Sequence, residues 1–273
     1  MELLKLTAKR MLFNKLTLIL LFLFFVLVLM DSFLYLTTLA YTPETGYAFP
    51  HALEVFITRH DESTSILPLF LPFFVLGIAG DYFFTDKSSG MMTLSALRIG
   101  RRHQLIGNIL STSFITASLI GLLYSVLLIA YLFIFPLQEN NIIHTFLVEG
   151  QFADLPLYAF SLILANILAA IAFQLTGQAV GMVVSKKSQL YIALFLIIFA
   201  IPYTLYYALD PRQFPIFNYT PIIFLLQTLQ LPDNIFQVFI YWLAYIAVDL
   251  LVIFTLFHYN YLPSPKEEAS HVR

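Results

Sequence analysis

Arg98, Arg101 and Arg102 close a polar segment that runs from Asp81 to Arg102 between two long apolar stretches. Within it Met91, Leu94 and Leu97 recur at i, i+3 and i+6, which puts them near one face of a helix. Ser88 or Ser89 is suited to cap the start of that helix. Gly100 is suited to end it in the left-handed conformation. Such a helix offers contact chemistry rather than bond-making chemistry. Met adapts to the surface of a partner, and the arginines pair with acidic groups. Positive charge at this place would also serve simply to hold an orientation in the membrane. The expected contact residues are therefore Met91, Leu94, Leu97, Arg98, Arg101 and Arg102, with the three apolar ones ahead of the arginines.

Motifs for covalent or hydrolytic chemistry do not occur in the chain. It has no G-x-x-x-x-G-K-[ST] phosphate loop, no H-E-x-x-H and no G-x-S-x-G. It contains no cysteine, which removes disulfides and thiol ligands. His51, Glu54, His60, Asp61 and Glu62 share one polar connection, a mixture ordinary in such loops, and no metal centre is assigned to them. Three carboxylates fall within or near apolar runs: Asp31, Asp81 and Asp249. A charge at mid-helix costs about 2.5–3.5 kcal/mol on insertion scales. Asp31 and Asp81 lie near the ends of their runs, within reach of an interface. Asp249 is the deepest, and either lines a pathway or is a hydrogen-bonded structural residue.

The elements that position these residues follow from composition. The 273 residues are 60% hydrophobic and 11% charged, where a soluble domain carries about 25% charged residues. The reading is an all-α polytopic membrane protein forming a single transmembrane domain over 1–273. Crossing a bilayer takes about 20 apolar residues. Six such runs are present, at about 16–39, 64–84, 104–135, 156–184, 189–209 and 235–262. The first is too long for the apolar core of a cleaved signal peptide. Pro68, Pro72 and Pro202 fall inside spans and predict kinks. Twelve of the fourteen Lys and Arg fall before the first span, in 85–103, in 185–188 or in the tail 263–273. Only Arg59 and Arg212 lie on the other side. Both termini are therefore expected in the cytoplasm of a plasma-membrane protein.

Three smaller features complete the reading. Residues 1–15 set Glu2, Lys5 and Lys9 against Leu3, Leu4, Thr7 and Met11, the pattern of a helix lying in the interface. The stretch 212–235 holds Pro215, Pro221 and Pro232 around an apolar run too short to span, which predicts an outer re-entrant segment. Gly177 and Gly181 form a G-x-x-x-G in the fourth span, a surface for close helix packing within the subunit or across a dimer.

Taken together these parts resemble the permease subunit of ABC-2 type exporters. The likeness runs over nearly the whole chain. Its most specific local part is the series Asp81, Gly90, Leu94, Arg101 and Gly107, with the Ser185-Lys186-Lys187-Ser188 turn beside it. The resemblance implies that 85–103 is a coupling helix docking on a separate cytoplasmic ABC ATPase subunit. ATP and Mg would be bound by that partner, no cofactor by this chain, and the chain itself would not be an enzyme. It also implies a second permease subunit, as homodimer or heterodimer, with the bilayer and no nucleic acid as its other surroundings. With 28 Phe and 16 Tyr, an amphipathic cargo such as an antimicrobial peptide is the first expectation. A drug or lipid-type substrate comes second. A non-transporting scaffold or sensor, or an intramembrane enzyme, are the readings from other classes.

Overall fold

The structure, a computed structural model, describes residues 2–39, 52–61, 66–91, 100–135, 155–208, 221, 225 and 235–261. All regular structure among them is helical. A short first helix, α1 (Glu2–Leu12), turns at Phe13 and Asn14 into α2 (Lys15–Leu39). The Asn14 side chain accepts from the Leu16 amide at 3.1 Å, satisfying one open N–H of the new helix. Then come α3 (Ala52–Asp61), α4 (Ile66–Val75), a π turn (Leu76–Gly80) and α5 (Tyr82–Ser88). They are followed by α6 (Arg101–Ile134), α7 (Leu155–Val183), α8 (Lys187–Phe195), a second π turn (Leu196–Ala200), α9 (Ile201–Ala208) and α10 (Ile235–Tyr261).

Six helical stretches are long and apolar enough to cross a membrane: Lys15–Leu34, Leu69–Ser88, Arg101–Ile134, Pro156–Val183, Lys187–Tyr206 and Phe236–Tyr259. Burial sorts them. The second and fourth are 67% and 61% buried, against 22–28% for the other four. The fourth span, α7, is thus the central post, and it touches α3, α4, α5, α6, α8, α10 and the first π turn. The outer four turn rows of Phe, Leu, Ile and Val outward, as lipid-facing helices do. The 34 residues of α6 make it about 50 Å long. It therefore tilts or projects beyond the roughly 30 Å hydrocarbon layer.

One of the expected kinks takes the form of a π turn, Leu196–Ala200, which ends just before Pro202. Proline lacks the N–H that would bond the Ile198 carbonyl, and a wider turn there absorbs the mismatch. Pro72 lies inside α4, which continues through it to Val75, and the other π turn, Leu76–Gly80, follows only after that. The first π turn also brings its glycines against neighbours. A Cβ on Gly77 would stand 2.6 Å from Leu20 Cδ1 of α2.

Two readings of the sequence need correction. Residues 52–61, taken as part of a polar outer loop, form a helix packed on α6 and α7. Ala52, Val55, Phe56, Ile57, Arg59 and His60 are all buried there. Its apolar positions are too few for a span yet enough to cover the bundle. Ser88 and Ser89 do not open a helix but close α5. Their hydroxyls donate to the Thr85 and Asp86 carbonyls, and Gly90 follows at φ +75°. Gly100 has φ +82° but ψ 143°, and it stands directly before α6 as its N-cap. That backbone region is open to glycine almost alone.

Candidate functional site

The helix ends nearest the 91–100 connection gather a set of ion pairs. Arg10 of α1 meets Asp86 of α5 at 2.7 Å, donates to the Tyr82 hydroxyl at 3.2 Å and lies 4.9 Å from that ring's centroid. Tyr82 in turn donates to Thr7. This face of α1 is the apolar one: Thr7 and Met11 are buried while Lys5 and Lys9 are exposed. On the other side of the same span, Lys187 of α8 pairs with Asp81, and Tyr191 donates to the same carboxylate at 3.0 Å. Lys87 reaches the open end of α7, donating to the Met182 carbonyl at 3.0 Å and the Val184 carbonyl at 3.4 Å. A cation at a helix C-terminus satisfies both the orphan carbonyls and the dipole.

These pairs place α1, the end of the second span and the 184–187 turn at one end of the bundle. Phe257 near the end of α10 packs there too, in a cluster with Phe83, Leu105, Ile109 and Met182. The Asp81 carboxylate, read from sequence as reaching an interface, is held by Lys187 and Tyr191. Charge on a neighbouring span was the missing information.

The residues expected to dock a partner divide. Met91 directly follows Gly90 and is half-buried, and Arg101 and Arg102 are the exposed first residues of α6. Leu94, Leu97 and Arg98 lie outside the described residues, as do almost all of 212–235 and the tail 263–273. The glycines of the G-x-x-x-G face the second span of the same chain. A Cβ on Gly177 would lie 2.6 Å from Gly80 Cα and 2.9 Å from its carbonyl oxygen, while one on Gly181 would make ordinary contact with Phe84 at 3.5 Å. Asp249 turns toward the central post and accepts from Thr176 at 2.8 Å, with 8% of its surface exposed.

Two constellations were missed from sequence. At the far end, Arg59 of α3 grips Asp31 of α2 side-on. Nε donates to Oδ2 at 2.8 Å and Nη2 to Oδ1 at 2.6 Å. Asp31, expected to reach an interface, is instead in a buried bidentate pair. Next to it Ser32 and Tyr131 share a short hydrogen bond. The His60 ring lies 4.4 Å from Phe56 and 5.0 Å from Tyr124, centroid to centroid. Its Nδ1 sits 2.6 Å from the Phe56 carbonyl, which only accepts, so Nδ1 carries the proton. Burial pushes this imidazole down to about 4, against the smaller opposing pull of the carbonyl and of Asp31. Among the described residues no three His, Asp or Glu side chains gather as a metal cluster would require.

The second is a buried polar row on α6 that bonds to α7 at its middle, through Thr112 and Ser113. Gln104, Asn108, Thr112 and Thr116 follow one another at steps of four and are all buried. Thr112 accepts from Gln174 at 3.1 Å and from Gln178 at 2.8 Å, and Ser113 donates to Gln174. Polar side chains hydrogen-bonding across helices hold membrane bundles together. The step of four inside an apolar run was the available signal.

The fold defines an all-α, multi-pass membrane protein. No protein-family model matches the sequence, and no curated protein matches it. The buried charged groups among the described residues, Asp31, Arg59, Asp86 and Asp249, each tie one helix to another by an ion pair or a hydrogen bond. What such an arrangement can do is couple the motions of helices.

Proposed function

We propose that the chain is the permease subunit of an ATP-driven exporter of the ABC-2 type. Its cargo would be an amphipathic or hydrophobic molecule, an antimicrobial peptide in the first place. The observation that carries this reading is the pair of ion pairs on the last turns of the second span. Asp86 holds α1 and Asp81 holds α8, shortly before the 91–100 connection. A displacement of that connection therefore acts on three elements at once and moves them as a body, which is how a docked ATPase would open and close a pathway. In this reading α1 lies in the cytoplasmic interface and both termini are cytoplasmic. The coupling segment lies within 85–103, after the second span ends at Ser88, 212–235 dips into the outer leaflet, and a second permease subunit completes the pathway. ATP and Mg bind in the partner ATPase, and the present chain supplies no catalytic residue.

The test is co-purification with an ATPase encoded alongside the chain, followed by vanadate-sensitive peptide export in proteoliposomes. Association is expected for the native chain and is lost in Leu94→Asp combined with Arg98→Glu. A native chain that never associates, or a double variant with unchanged coupled ATPase activity, overturns the proposal. Sidedness is checked separately. The chain has no cysteine, so Ser89→Cys and Ser270→Cys each give one label, and both are expected to react only from the cytoplasmic side.

A further inference from the structure

We infer that the groove between the first turns of α6 and the last turns of α10 binds the head and upper acyl chain of one anionic phospholipid. This inference rests on the chain's residence in a membrane and not on the transporter reading. The groove has a volume of about 260 Å³ and is lined by Arg102, Leu105, Ile106, Phe254, Phe257 and His258. That is near the lower end of ligand pockets, about 300–1,000 Å³. Leu105 and Phe257 form the floor, at 1% and 3% exposure. Ile106 and Phe254 form open walls, and Arg102 and His258 stand exposed at the rim.

The order of these residues along the two antiparallel helices decides the ligand. Arg102 lies four residues nearer the helix end than Ile106, and His258 four residues nearer than Phe254. Each cationic or N–H-bearing side chain is thus about 6 Å above an apolar one. Both helices are membrane-spanning candidates that end here, so the rim falls at headgroup level and the walls at the level of the first methylenes. Arginine forks onto phosphate oxygens through two parallel N–H donors, and the His258 ring supplies another N–H. The N-cap of α6 is Gly100, which gives the first-turn amides no side-chain acceptor, and an anion is favoured beside such a helix start. Among the described residues no carboxylate lines the groove. A choline ammonium finds no partner among them, whereas a lipid of net negative charge is matched.

The experiment is native mass spectrometry of the purified full chain with phosphatidylglycerol or phosphatidylcholine of identical acyl chains. The expected result is retention of one phosphatidylglycerol about tenfold more tightly than phosphatidylcholine. Arg102→Ala should abolish that preference, while Arg101→Ala, of the same charge change outside the groove, keeps it. Phe254→Trp, which fills the wall, should weaken both lipids. Monodisperse elution of each variant, and partial retention in Arg102→Lys, separate lipid loss from misfolding. The inference is overturned if the two lipids bind alike, or if Arg101→Ala and Arg102→Ala lose equally. It is also overturned if millimolar inorganic phosphate displaces the adduct, which marks a free-anion site. A cysteine placed within residues 92–99 that cross-links to one at 254 overturns it as well, because the chain itself then fills the groove.

Discussion

Replacing Gly177 by alanine puts a methyl group where two backbones cross. The added carbon would lie 2.6 Å from Gly80 Cα, while ordinary contact begins near 3.4 Å, so α7 and the first π turn would have to part by about 0.8 Å. The obstacle is main chain, which no rotamer change removes. Overpacking of this kind costs about 1–3 kcal/mol. Alanine returns about 1 kcal/mol in helix propensity over glycine. The expected net loss is about 0–2 kcal/mol. Gly181→Ala, one turn away, meets Phe84 at an ordinary 3.5 Å and keeps the propensity gain of about 1 kcal/mol. The two variants should therefore differ by about 1–3 kcal/mol, several degrees in Tm at about 2–4 °C per kcal/mol. Gly80→Ala is expected between them, because the nearest atom to its new carbon is Leu76 Cδ2 at 2.9 Å, the end of a flexible side chain, with Leu76 Cβ next at 3.4 Å. The single tryptophan, Trp242, is fully buried and lies edge-on to Phe173 of α7 at 5.7 Å. Its fluorescence during a thermal melt in detergent reports the unpacking of the central post. Equal melting of the two glycine variants, or a Gly177→Ala protein more stable than Gly181→Ala, would refute the reasoning.

Buried polar groups give three further outcomes. Asp31→Asn or Arg59→Gln alone should destabilise by about 3–5 kcal/mol, because each strips a buried charge of its counter-ion. The Asp31→Leu/Arg59→Leu double variant should regain much of that loss, and strictly additive single effects in a mutant cycle would contradict it. His60 carries its proton less readily folded, at about 4, than unfolded, at about 6.5. The unfolded chain therefore binds the proton first, and stability is complete above about pH 6.5 and falls as pH drops toward 4. The loss is about 3 kcal/mol. His60→Phe should flatten the denaturation midpoint over that window, and an unchanged pH profile would count against the assignment. Thr176→Val removes the donor to Asp249 and should cost about 1–3 kcal/mol. Asp249→Asn keeps an acceptor for Thr176 and should be milder, and a silent Thr176→Val would show that the bond carries no weight.

The sequence alone determined which parts of the chain are helical and apolar enough to span. Length and hydropathy decide that locally, since backbone groups in lipid must be satisfied within the segment itself. It also determined the amphipathic face of α1, through the opposition of Lys5 and Lys9 to Thr7 and Met11, and the irregular turn before Pro202; of the other prolines read as kinks, Pro72 sits inside α4. Tertiary structure decided which side chains meet. Asp31 and Arg59, 28 residues apart, reveal nothing of their pairing until α3 folds back onto the bundle. Asp81 and Lys187 meet only because α8 packs beside the second span. Ser88 and Ser89 have the composition of a helix start, and only the backbone course through Gly90 makes them a helix end. Gly177 carried a signal for close approach, but Gly80, which it approaches, sits in a π turn with no motif of its own. Periodicity records how each helix presents its faces to a generic inside or outside. The partner on the inside is fixed by packing between segments far apart in the chain, and no local pattern encodes it.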